Sequence, residues 1–409
     1  MLGMSLTVGI VLLFRFINKK YEHPIFGIYQ QRNKTYWFKF LFMYIFLRLR
    51  QFITYVKRLL AIELGRSPDG TTHVQEHDIQ LEKLYDLGTH SKVVDGVYFN
   101  GMSKSGDALI CGLARRPNRG CDAFIYLKIK DQDLFLSPSL PDTHLKKSDE
   151  DGEGHCVNGI TITNFIPMRA WKLCFNGELK PKSDSAKTVK VEAELTWSAQ
   201  WAPFEYDTQM SPRSVADDMA REPWSRDYFK LVKKLHQTHY EQMGSIAGTV
   251  AIDGKSYELN MPCVRDRSFG PLREWRNFHR YVYHFIFLDN GDCMAVGSVS
   301  QPSILSHLTI GYLCRKSDQT VVPVDHSDFH LYQHAEHQIL PKHYGFIFEA
   351  GGQSYAVQVS ANEEETFYIG KEREAKFYER WCTVDINGVK GRACVEWHYN
   401  NTLNTLFNK

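Results

Sequence analysis

The chain has 409 residues, 43% apolar and 13% aromatic, with 49 basic against 47 acidic residues and a net charge of +2. That balance excludes the strongly basic surface of a nucleic-acid-binding protein. The length exceeds one ordinary core and predicts two domains. Nine cysteines, none in C-x-x-C spacing, predict free, mostly buried thiols in a reducing compartment and no zinc or redox pair.

Residues 1–64 read as a hydrophobic and amphipathic membrane anchor. The first 14 residues carry no charge and include the run Val8–Phe14. A full span takes about 20 residues, so the segment 4–17 crosses the bilayer, lies on it or is cleaved. Arg15, Lys19 and Lys20 follow the run, which by the positive-inside rule leaves the main body in the cytosol. A second apolar stretch runs from Tyr36 to Leu60. Its residues Lys39, Arg50 and Lys57 fall on one helical face, with Leu41, Ile45, Phe52 and Leu59 opposite. Aromatic residues beside a basic stripe predict a helix lying in the membrane surface, so residues 1–60 are expected to contact a membrane.

The rest of the chain reads as mainly β. A first β domain is expected over 76–212, a helical connector over 213–243 and a second β domain over 244–405. Turn pairs recur at Asp95-Gly96, Asn158-Gly159, Asn176-Gly177, Asp253-Gly254, Asn290-Gly291, Gly351-Gly352 and Asn387-Gly388. Between them lie strand-like runs such as Ala123–Leu127, Val189–Leu195, Tyr281–Phe287, Tyr344–Phe348 and Trp381–Ile386. Short strands joined by hairpin turns predict tandem antiparallel barrels or sandwiches.

The most informative stretch is Ile246–Trp275. It holds a hairpin turning at Asp253-Gly254, followed by Arg265-Asp266-Arg267-Ser268-Phe269-Gly270 and by Arg273 and Trp275. A carboxylate between two arginines at the end of an apolar hairpin either ties a barrel together or lines its cavity. With the strand holding His284 and the Gly-rich strand Val389–Glu396, this segment resembles the two-domain lipocalin-like proteins related to carotenoid hydratase and hydroxyneurosporene synthase. Tocopherol cyclase and a fungal survival-factor protein linked to ceramide transport are similar. The resemblance covers about residues 90–400 and implies two tandem lipocalin-like β domains. One departure stands out: such proteins carry Arg-Asp-His-Ser-Trp-Gly, whereas this chain has Arg267 and Phe269, which removes a proton carrier that titrates near neutrality.

Three functions follow as alternatives. In the first, the chain binds or transfers a hydrophobic ligand, a lipid or an isoprenoid, in a lipocalin-like cavity. In the second, it is an enzyme like the hydratase, with Asp266 as general acid on an alkene and aromatic rings stabilising the cation. In the third, it is a non-catalytic module tethered to a membrane. Expected ligand-contacting residues are Trp275, Tyr281, Tyr283, His284, His307 and Trp201. Arg265, Arg267, Gly270, Arg273 and Glu396 are expected to hold the motif together, and Asp266 pairs with Arg265 or Arg273 if it too is structural. No cofactor, metal or nucleic acid is expected, and the oligomeric state is left open.

Overall fold

The computed structural model describes residues 23–63 and 71–402, except the side chains of residues 57–76. The expected apolar segment 4–17 therefore lies outside the described residues. Twelve strands form the first sheet. They are β1 (Val94–Met102), β2 (Ala108–Arg115), β3 (Gly120–Lys128), β4 (Leu134–Leu136), β5 (His144–Lys146) and β6 (His155–Val157), followed by β7 (Ile160–Ile166), β8 (Ala170–Pro181), β9 (Val189–Ala199), β10 (Phe204–Glu205), β11 (Thr238–Ile252) and β12 (Lys255–Gly270). Its antiparallel pairings run β1–β2–β3–β4–β8–β9–β11–β12 and return to β1, which makes a ring.

The second sheet is a closed eight-stranded antiparallel barrel. It comprises β13 (Arg280–Leu288), β14 (Cys293–Gln301), β15 (Leu305–Arg315), β16 (Thr320–Ser327), β17 (His343–Ala350), β18 (Gln353–Ile369), β19 (Ala375–Ile386) and β20 (Val389–Asn400). The sheets change over between Gly270 and Arg280, which corrects the boundary expected at residue 244. Strand β11 begins inside the expected connector, and the β11–β12 hairpin pairs with β9 and β1 rather than with the barrel that follows. Before it, the connector holds two of the chain's helices.

Both rings are filled by their own side chains. Val97, Phe99, Trp171, Trp197, Leu259 and Met261 belong to one core cluster. Val282, Ile286, Phe346, Phe348, Val357 and Trp397 belong to another. An eight-stranded ring leaves an interior just wide enough for such packing. The alternate residues of the same strands, among them Val264, Tyr283, Phe285, Phe377 and Trp381, make a third cluster where the two sheets meet. The cavity described below lies in this layer, between the two sheets.

Five of the seven turn pairs occupy turns, with positive φ at both central residues of Asn158-Gly159, Asp253-Gly254 and Asn387-Gly388. Asp95-Gly96 and Asn176-Gly177 instead lie inside β1 and β8. Asp95 is there as a buried ion-pair acceptor.

The helices are α1 (Tyr36–Glu63), α2 (Thr71–Glu82), α3 (Tyr206–Gln209), α4 (Pro212–Arg221) and α5 (Arg226–Lys234). Among the described residues no helix is long and apolar enough to cross a membrane. The basic edge expected on α1 turns toward the protein. Lys39 Nζ donates to Glu222 O (2.6 Å), Arg50 Nη2 to Asp207 O (3.3 Å) and Gln51 Nε2 to Met210 O (3.4 Å). These carbonyls lie at the C-terminal ends of α3 and α4, where unpaired acceptors and the negative end of the dipole attract such donors. Tyr36 and Met43 are buried against α4 and Tyr228, while Phe38 (74% exposed), Leu41, Phe42, Ile45, Phe46, Leu49 and Phe52 (62%) face outward. The side chains of Lys57 and Leu59 fall outside the described set.

Candidate functional site between the two sheets

Strand alternation decides where the motif points. Arg265 and Arg267 turn into the first ring and are fully buried. Arg265 Nη2 pairs with Glu82 Oε1 at 2.8 Å and donates to Gln242 Oε1 (2.9 Å), and the guanidinium lies over the Trp171 and Trp197 rings. Arg267 pairs with Asp95 and donates to Gly96 O and Lys83 O. Burial opposes ionisation of Asp95, but His155 and Arg267 outweigh it and hold the carboxyl down at about 2. Asp266, between the two arginines, turns the other way. No ion pair joins it to Arg265 or Arg273 among the described residues, which corrects the structural pairing expected for it.

Asp266 instead lines a cavity of about 440 Å³ between the two sheets. The walls are mostly apolar: Phe124 and Val97 come from the first sheet, Phe285, Ile310, Phe367 and Phe377 from the second, and Val232 and Leu235 from α5 and its end. Trp275, Tyr281 and Tyr283 line it as expected. The other three expected contacts do not. His284 follows Tyr283 on β13 and so points to the opposite face, into the barrel, with its ring nitrogens 2.9 Å from Val296 O and Tyr344 Oη. Burial pushes its pKa down to about 3. His307 packs beside Tyr29 and Tyr332, and burial lowers it to about 3 as well. Trp201 is buried in the layer between the sheets, with its carbonyl accepting from Gln242 Nε2 (2.8 Å), but does not reach the cavity.

The polar groups converge at Asp266. A two-residue turn at Asp253-Gly254 pairs Ile252 with Lys255, and the uninterrupted ladder then sets Glu241 directly opposite Asp266. Two opposed carboxylates repel. His239, two residues from Glu241 on the same face, relieves this: its Nε2 is 2.7 Å from Asp266 Oδ2 and 3.4 Å from Glu241 Oε1. Burial disfavours the charged ring, yet the field and hydrogen bonds of the two acids raise its pKa to about 10. Tyr206 stacks on the imidazole at 4.3 Å and hydrogen-bonds Tyr283, whose hydroxyl donates to Glu241 Oε2 (3.3 Å). Burial raises Glu241 to about 7 despite His239.

A second acid pair repeats the arrangement on the barrel. Glu396 is register partner to Glu379. Burial first, and then the neighbouring Glu379 carboxyl, push Glu396 well above the usual range; it accepts from Tyr281 Oη at 3.1 Å. Burial raises Glu379 to about 7, and it accepts from Tyr98 Oη (3.1 Å) of the other sheet. Glu396, expected as a structural residue, is therefore a carboxyl with a raised pKa that lines the cavity. Arg273 also lines it, while Gly270 supports it from behind: a Cβ there would meet Gln237 Cγ at 3.1 Å.

His239, Glu241 and Asp266 were not foreseen as a group. One imidazole nitrogen and two carboxylate oxygens lie within 4.8 Å of one another, a donor set that suits a divalent cation. The signal that could have found them is the hairpin itself, because a two-residue turn fixes the partner of every residue along an unbroken ladder.

The chain belongs to a family of unknown function (DUF8627), whose model matches residues 2–399. No curated protein matches it in sequence. Among solved structures it is similar to an AttH protein from Nitrosomonas europaea, at 10% identity and a TM-score of 0.49, over 75% of this chain and 92% of that one. It is also similar to CghA with Sch210972 (11% identity, TM-score 0.42, 76% and 89% covered). A third is kievitone hydratase from Nectria haematococca (10%, 0.41, 78% and 94%). None of these three is a carotenoid hydratase.

Proposed function

We propose that this chain binds a hydrophobic small molecule in the cavity between its two sheets and exchanges it with a membrane surface. One observation carries the reading: an aromatic-walled space of about 440 Å³ with a few converging polar groups lies between the two sheets, each of which encloses a core of apolar side chains. Its size falls in the range of about 300–1,000 Å³ typical of small-molecule sites. Titration of the full chain with the apolar dye Nile red tests it. Saturable binding is expected, with affinity at least about tenfold lower in Leu308→Trp, which fills the cavity from β15. No saturable binding, or equal binding by the variant, would refute it.

The membrane part is supported by the outward apolar row of α1. Packing of Phe42 on Trp224 (6.0 Å) and of Trp224 on Phe229 (5.4 Å) extends that row to α5, where Lys230, Lys233 and Lys234 are exposed. Apolar side chains bordered by lysines suit an anionic bilayer surface. The same helices adjoin the cavity: α1 bonds the carbonyls of Asp207 and Met210, and both of these residues line it.

A second reading, acid catalysis on an alkene, is favoured by the Glu396 carboxyl at the cavity wall. Glu396, whose carboxyl burial pushes well above the usual range, suits the acid role assigned to Asp266 by resemblance. A bound polyene that acquires deuterium from D₂O with the native chain, but not with Glu396→Gln, would support it.

A further inference from the structure

Most ionisable side chains lining the cavity have a partner among the described residues. Arg116 pairs with Asp122 (3.1 Å), Asp207 with His236 (2.7 Å) and Asp266 with His239 (2.7 Å). Burial pushes the Glu396 carboxyl well above the usual range, and it accepts from Tyr281 Oη. Arg273 differs. Its main chain is held by Lys92 O (2.8 Å), and its Nε donates to Gln237 Oε1 (2.6 Å). Gln237 is in turn fixed through its Nε2 to Leu272 O (2.8 Å), so the stem of the guanidinium is positioned. The two terminal nitrogens have no hydrogen-bond or ion-pair partner among the described residues. The guanidinium lies 5.9 Å from the centroid of the Trp275 ring, which also lines the cavity.

A guanidinium with its fork free, set in an apolar wall, is a costly arrangement unless an anion completes it. Burial holds the Arg273 pKa below the usual arginine range; Asp266 and Glu396 act on it only from beyond ion-pair distance and do not reverse this. Among the described residues the Arg273 fork is thus left without an anionic partner at ion-pair distance.

We propose that Arg273 receives the headgroup of the ligand, and that the ligand is an amphiphile carrying a single carboxylate on a hydrophobic body. This rests on the cavity reading above and deepens it. The fork geometry of arginine matches the two oxygens of a carboxylate. One free fork matches a monoanion, whereas a phosphate monoester would bring about two charges, and the second nearby cation, His239, is already held by Asp266 and Glu241. With the carboxylate on Arg273, the hydrophobic body extends along Trp275, Phe377, Phe367 and Phe285 toward Ile310.

Fluorescence titration of the full chain with cis-parinaric acid and with its methyl ester tests the assignment. The acid is expected to bind at least about tenfold more tightly than the ester. Arg273→Gln is expected to remove that preference, lowering acid affinity about tenfold or more while leaving ester affinity unchanged, and Arg273→Lys to restore part of it. Equal binding of acid and ester to the native chain, or an equal loss of both in Arg273→Gln, would overturn the carboxylate assignment and leave the cavity reading standing. Binding of neither probe would overturn both. Should Arg273→Gln fail to fold, the acid–ester comparison on the native chain decides alone.

Discussion

Replacing Arg267 with Met removes the cation from a site with no solvent access. Its guanidinium meets the Asp95 carboxylate, Gly96 O and Lys83 O, and the side chains of both Arg267 and Asp95 are 0% exposed. Arg115 and His155 remain beside Asp95, but Arg267 makes the most contacts. Breaking a buried pair from one side typically costs about 3–5 kcal/mol, because the remaining charge stays desolvated and uncompensated. For a unit the size of the first ring this is a fall in midpoint of roughly 10 °C. Urea and thermal unfolding of the full chain, followed by tryptophan fluorescence, measure it. Lys190→Met, which breaks the exposed Lys190–Glu192 pair, serves as control and is expected to leave the midpoint unchanged. Adding Asp95→Asn to Arg267→Met should return part of the loss. A cost below about 1 kcal/mol for Arg267→Met would show that this pair does not hold the ring, and would reopen a role for position 267 in the cavity.

The two ends of the pH range should report on two different pairs. Asp95 is depressed from 3.8 to about 2, so its contribution is present above pH 3.8 and lost as pH falls toward 2; Asp95→Asn should flatten that acid limb. His239 is raised from 6.5 to about 10, so its contribution is complete below pH 6.5 and lost as pH rises toward 10, a limb that His239→Gln should remove in urea titrations at stepped pH. In sedimentation with phosphatidylserine-containing vesicles, the pair Phe42→Glu and Phe46→Glu should lower binding at least about tenfold, since each buried aromatic is worth about 1.5–3 kcal/mol. Unchanged sedimentation, or loss of self-association in its place, would assign that face to a second copy of the chain.

Much of the scaffold was legible before any coordinates. Alternation and turn chemistry are local: Asp253-Gly254 must turn, Tyr281–Phe287 must extend, and Asp266 must face away from Arg265 and Arg267 because side chains alternate along a strand. The same rule, applied one residue further, would have separated His284 from Tyr283. Local signals misplace Asp95-Gly96, where a turn-forming pair is overridden by the need of two buried arginines for a carboxylate. They also misread the basic edge of α1, since lysine and arginine spacing is the same whether the partners are lipid headgroups or the carbonyl ends of neighbouring helices.

What the linear order settled was a mainly β chain, many of its strands and the hairpin turn at Asp253-Gly254. Tertiary structure alone decided that the rings fill themselves, that the open space lies between them, and that His239, Glu396 and Arg273 gather around that space. The physical reason is that strand identity depends on neighbours along the chain, whereas a cavity depends on which faces of two separately closed sheets meet, and no periodicity within either sheet encodes that contact.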